Sequence, residues 1–191
     1  MRIDEVFAEH AQVAARAARE LPPVLERIAT ATHGCLRAGG KVLACGNGGS
    51  AAHAQHLVAE LIGRFREERR ALPGIALTAD AATLTALGND YGYDRIFARQ
   101  IEALALPADV LFAISTSGNS ANVVLAARIA RERKCTVIAL TGAHGGQLAA
   151  HADLVLAAPS TVVARIQEMH TLCIHVIFES LDELIRQSDS S

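Results

Sequence analysis

A chain of 191 residues, 51% hydrophobic and with a net charge of −2, is long enough to bury a substantial core as one domain without disulfides or a structural metal. The near-neutral balance leaves no whole-chain electrostatic footprint for nucleic acid, and no apolar run reaches membrane-spanning length. Aromatics make up only 4% and Trp is absent, which suits close-packed helices on a parallel sheet.

In chain order, residues 3 to about 18 place Ile3, Val6, Phe7, Ala11, Val13, Ala14 and Ala18 at helical spacing, and Pro22-Pro23 then starts a second helix that stops at Gly39-Gly40. Residues 1–38 thus form two helices ahead of the first strand, and a subunit interface is the expected place for them to pack; residues 39–191 form the α/β core of a single domain. Lys41 to Gly46 is a strand that runs into Asn47-Gly48-Gly49-Ser50, and a helical segment carrying His53, His56 and Glu60 follows directly. Strand, glycine turn and helix N-terminus together make an anion site, because the backbone can approach a ligand closely and the helix start presents N–H groups and the positive end of its dipole. The turn has neither the GxGxxG spacing nor a following Lys-Ser/Thr.

The charged stretch Arg64 to Arg70 reads as a solvated helix end and loop, Gly74 to Thr78 as a second strand, and Asp80 to Gly88 as a short helix closing on an Asn89-Asp90-Tyr91-Gly92 turn. A helix over 97–106 precedes the buried strand Val110–Ile114. After it, Ser115-Thr116-Ser117-Gly118-Asn119-Ser120 repeats the pattern of strand, polar turn and helix, with more hydroxyls than a capping turn needs; they can donate to phosphate oxygens. Strands at 136–140 and 153–157 and a long helix from Val162 to about Gln187 complete the chain. The fold class is therefore α/β: a doubly wound, five-stranded parallel sheet with N-terminal helices and a long C-terminal helix, and ligands are expected beyond the carboxyl ends of the strands. Cys35, Cys45, Cys135 and Cys173 lie apart without a CxxC pair, as reduced core residues of a cytoplasmic protein do.

His56 and Glu60, four apart, share one helix face, and His53 extends the stripe. The last helix adds Gln167, Glu168, His170, Thr171 and His175, the last of these inside an apolar run where an imidazole needs a partner or a purpose; a core histidine bonded to a backbone carbonyl is the plain alternative. Gln167 and His175 stand about 12 Å apart along the helix and roughly 80° around it. If both serve one ion, different subunits are expected to supply them.

The motifs GNGGSA, AQHLVAE, GNDYGY, ISTSGNSANV, ALTGAHGG and RIQEMH, in this order, resemble the phosphoheptose isomerase family of the sugar isomerase (SIS) superfamily. The resemblance runs from about residue 40 to the end. It implies the flavodoxin-like SIS fold, and conversion of sedoheptulose 7-phosphate to D-glycero-D-manno-heptose 7-phosphate through an enediol(ate), the first step of ADP- or GDP-heptose synthesis for lipopolysaccharide or a surface glycan. By the same resemblance Asn47, Gly48, Gly49 and Ser50, then Asn89 and Asp90, then Ser115, Thr116, Ser117 and Ser120 are substrate-binding. His56, Glu60, Gln167 and His175 match zinc ligands, with Glu60 and His175 the acid/base pair and Glu60 and Gln167 also touching substrate. A homotetramer with active sites between subunits is implied, with no nucleic-acid or membrane partner. His53 departs from the family pattern, standing where a small acidic residue is expected: an extra ligand, a supporting partner or a neutral change. A non-catalytic relative that binds the replication initiator shares much of the pattern but lacks the full metal set. SIS-containing regulators need a DNA-binding domain, and glutamine-dependent aminotransferases a nucleophile domain, for which 191 residues leave no room.

Overall fold

Runs of apolar residues without alternation become the strands of a sheet buried on both faces. The computed structural model describes residues 2–189. Its strands are β1 (Val42–Gly46), β2 (Gly74–Ala76), β3 (Val110–Ile114), β4 (Thr136–Thr141) and β5 (Leu154–Ala157), all parallel in the order β2-β1-β3-β4-β5. Helices α1 (Ile3–Glu20), α2 (Pro22–Arg37), α3 (Gly49–Ile62) and α7 (Val163–Asp189) cover one face, where Val42, Ala44, Val110, Phe112 and Ile114 point. On the other, Leu43, Cys45, Leu111 and Ala113 meet α5 (Ala98–Leu104) and α6 (Ala121–Glu132), with α4 (Ala81–Tyr91) alongside at Leu84 and Leu87. Successive strand residues thus enter opposite cores.

The chain leaves β1 toward β2 but leaves β3 toward β4. This reversal opens a crevice between the carboxyl ends of β1 and β3, the ligand position in such sheets. Because Gly46 is in register with Ile114, the two polar loops that follow, 47–50 and 115–120, start side by side.

Several boundaries shift by a residue or so from the sequence reading, and three differences change how a segment is read. The second strand ends at Ala76 rather than Thr78, as suits a short edge strand. The expected turn at Asn89-Asp90-Tyr91 is instead the last turn of α4, which stops at Gly92 with φ +82°; only glycine reaches that conformation without strain. Helix α5 ends at Leu104, short of residue 106. At the amino end, buried Arg165 of α7 bonds Val6 O and Glu9 of α1 and also Glu168, which His10 contacts at 2.6 Å. Helix α1 packs Val13 and Ala17 inward and leaves Ile3 and Phe7 more than two-thirds exposed, at 76% and 71%. All four cysteines are free and buried, and burial pushes the Cys45 and Cys173 thiols up to about 12.

Candidate active site

The crevice is built from close backbone packing. A Cβ on Gly46 would stand 2.7 Å from Ser50 O and 2.9 Å from Ile114 O, so glycine there lets the two loops meet. Gly48 has φ +55° and turns the chain into α3. In the second loop the Ser115 hydroxyl lies 3.0 Å from that of Ser120 and 3.5 Å from that of Ser117, which accepts from Asn119 N at 3.1 Å. Gly118, with φ +67°, presses on the Gly145-Gly146 backbone, and Thr116 O accepts from Gly142 N at 2.9 Å. Three hydroxyls on one turn at the start of a helix form a concave donor set for an anion.

Asn47 joins this arrangement through its side chain. Its Nδ2 donates to Asn122 Oδ1 at 2.9 Å, and its Oδ1 accepts from Asn122 Nδ2 and from the Tyr93 hydroxyl, both at 3.0 Å. Asn89 donates to its neighbour Asp90 at 2.8 Å, both exposed. Their segment reaches the first loop through Tyr93.

Helices α3 and α7 lie side by side in parallel register. Gly49 faces Gln167, whose Nε2 would be 2.4 Å from an added Cβ; His53 Nε2 lies 3.0 Å from the Thr171 hydroxyl; His56 Nε2 lies 2.9 Å from His175 Nε2. Glu60 Oε1 is 3.7 Å from His56 Nε2, and ligand atoms of His56, Glu60 and His175 all fall within 4.8 Å of one another. Phe65 lies against the His175 ring, 5.5 Å between centroids. The far end of α3 is tied by Arg69, which donates to the Glu60 and Leu61 carbonyls and pairs with Asp182 at 2.8 Å.

Two imidazoles and a carboxylate whose ligand atoms lie this close are donors that zinc accepts. The donors therefore fit such a metal. Of the four expected ligands this chain gathers three; Gln167 lies at the start of α3, about 10 Å of helix from His56. The expected separation of Gln167 from His175 along one helix thus appears in the structure, while His175 meets His56 and Glu60 of its own chain.

His53 stands outside the group formed by His56, Glu60 and His175 and is bonded to Thr171. The Thr171 hydroxyl donates its single proton to Gln167 O at 3.2 Å, so it accepts from His53 Nε2–H, and the ring stands edge-on to His170 at 6.1 Å. His170 is fully buried and donates through Nε2 to Thr141 O at 3.0 Å, the plain core-histidine arrangement. Burial above all pushes His170 down to about 4, and burial followed by the neighbouring His56 lowers His53, so both are neutral near pH 7. Sequence reading missed Asn122, Tyr93 and Arg69. The first two lie beside recognised motifs, in NSANV and GNDYGY, but their pairing with Asn47 spans 75 and 46 residues of chain.

Comparison with known proteins gives the family. Residues 6–142 match the family model described as SIS domain. A phosphoheptose isomerase of Aliarcobacter butzleri is 51% identical over 176 residues, covering 92% of this chain and 93% of that protein. Two solved structures of phosphoheptose isomerases superpose on the fold: that from Neisseria gonorrhoeae with TM-score 0.90 and 46% identity, covering 95% of this chain and 97% of the other, and that from Francisella tularensis with TM-score 0.92 and 43% identity, covering 95% and 96%.

Proposed function

Because the chain belongs to the SIS-domain family and, within it, to the phosphoheptose isomerases, we propose that it converts sedoheptulose 7-phosphate to D-glycero-D-manno-heptose 7-phosphate. The observation that carries the reading is the convergence of His56, Glu60 and His175 at one end of α3 while the hydroxyl-rich turn and Gly48-Gly49 flank its other end. About 10 Å of helix between Gly49 and His56 is comparable with the length of an extended seven-carbon sugar phosphate. Phosphate held by Ser115, Thr116, Ser117 and Ser120 and by the N–H groups of the first loop supplies binding energy remote from the reacting carbons, which positions them. Asn89, Asp90 and Gln167 serve the sugar hydroxyls.

Ketose-to-aldose conversion removes a proton from the carbon beside the carbonyl and returns one to the former carbonyl carbon through an enediol(ate). Glu60 takes and returns that proton; its carboxylate, only 19% exposed, sits beside His56 rather than in bulk water. His175 moves the proton between the two oxygens, and such positioned groups typically contribute about 10²–10⁴-fold each. A zinc ion held by His56, Glu60 and His175 supplies Lewis-acid polarisation of the carbonyl when bound. Gln167, the fourth expected ligand, joins either by a side-chain rearrangement or from a second copy, in keeping with a homotetramer whose sites lie between subunits. The product enters heptose synthesis for a surface glycan in the cytoplasm. Glu60 and His175 in one cluster favour catalysis over initiator binding. The Glu60→Gln variant should keep the far-ultraviolet circular dichroism of the parent and lose at least about a hundredfold in kcat, the low end for a general base; a fully active variant would remove Glu60 from the mechanism.

A further inference from the structure

The Asn47 carboxamide oxygen is fully engaged by protein. Its oxygen has two lone pairs and accepts two donors, the Tyr93 hydroxyl and the Asn122 amide, while its own amide closes the ring to Asn122 Oδ1. Asn122 is 2% exposed, in the first turn of α6 just after the hydroxyl turn; Tyr93 is 61% exposed, in the 3₁₀ turn Tyr93–Arg95 that follows Asn89 and Asp90. One carboxamide thus ties together three segments from different parts of the chain: the first loop, the N-terminus of α6 and the turn after α4. A buried asparagine with both amide partners met by another asparagine is a costly group to keep unless its geometry matters, because loss of either partner strands the other.

We propose that Asn122 and Tyr93 are positioning residues of the isomerase site, acting through Asn47 to hold the first loop in the conformation that meets the substrate. Tyr93 tethers the Asn89-Asp90 segment to the same hub, so the sugar-facing and phosphate-facing segments hold one spacing. The assignment of these segments to substrate rests on the isomerase reading; the hub itself does not.

Amide hydrogen exchange of the unliganded protein and steady-state kinetics with sedoheptulose 7-phosphate test the two separately, on Tyr93→Phe, Asn122→Ala and the double variant. Tyr93→Phe removes one exposed hydroxyl and leaves the fold intact, so the test survives if Asn122→Ala unfolds. Exchange at residues 47–50 should rise about fivefold in Tyr93→Phe, the equilibrium equivalent of one neutral hydrogen bond, and further in Asn122→Ala, with the strand amides unchanged. KM should rise by a similar factor with kcat within about twofold, and the two substitutions should be non-additive, since both act on one carboxamide. Unchanged exchange at 47–50 in Tyr93→Phe, or a parallel fall in kcat at constant KM, would overturn the proposal. Faster exchange in Tyr93→Phe, together with a wild-type protein that turns over no ketose phosphate, would leave the hub standing and remove the isomerase reading instead.

Discussion

His170 carries a sharp consequence at the level of the single residue. Enclosed on every side and bonded to Thr141 O, its imidazole is held neutral, with its pKa pushed by burial from 6.5 down to about 4. A histidine whose folded-state pKa is lowered takes its proton preferentially in the unfolded chain. Stability is therefore undiminished above pH 6.5 and falls as pH drops from 6.5 toward 4; the loss between pH 7.5 and 5 comes to roughly 2 kcal/mol. Urea denaturation at those two pH values should show wild type losing about that much more than His170→Gln, which keeps a donor for Thr141 O without titrating; equal losses would show that His170 is not held neutral. Which histidines would matter was legible as a stripe along two helices. Their division into a converging pair, His56 with His175, and a second pair, His53 with the core histidine His170, was not, because it depends on the register in which α3 and α7 pack.

Glycines at the level of the element separate binding from folding. Gly118 combines φ +67° with a Cβ position only 2.0 Å from Gly145 O, which is backbone and cannot move aside. Gly118→Ala should cost at least about 3 kcal/mol of stability, measured by denaturant titration; a variant as stable as wild type would mean the two loops are not locked together. Gly49 differs, since its Cβ would meet Gln167 Nε2, the end of a flexible side chain, inside a helix that favours alanine. Gly49→Ala should change stability by less than about 1 kcal/mol while raising KM several-fold, and a loss of fold would contradict the placement of Gln167. Strands β3 and β4 were readable to within a residue because uninterrupted apolar runs in a parallel sheet have sharp polar ends. The edge strand β2 and the end of α4 were not: one is limited by a single neighbour, and the other continues through Asn89-Asp90 because helix termination waits for Gly92. Both loops at the crevice were legible from composition alone, yet their adjacency follows from the strand order β2-β1-β3-β4-β5.

For the whole molecule, two apolar surfaces lie away from the converging side chains. Ile3 and Phe7 project from α1, and a concavity of about 1160 Å³ is lined by Val58, Ile62, Leu87 and Leu104 beside the β2 edge. No helix among the described residues is long and apolar enough to cross a membrane. The proposed homotetramer predicts that sedimentation gives a tetramer for wild type and, where exposed Phe7 packs between copies, a smaller species for Phe7→Glu, while a monomeric wild type would count against sites shared between copies. Most direct is one measurement: conversion of sedoheptulose 7-phosphate followed by NMR, with protein as purified, after chelation, and after zinc is restored. The expected result is aldoheptose 7-phosphate that forms, stops forming on chelation and returns with zinc, as the proposed zinc site of His56, Glu60 and His175 predicts. Absence of product from folded, zinc-loaded protein would contradict the isomerase assignment, and turnover indifferent to chelation would contradict the metal's place in it.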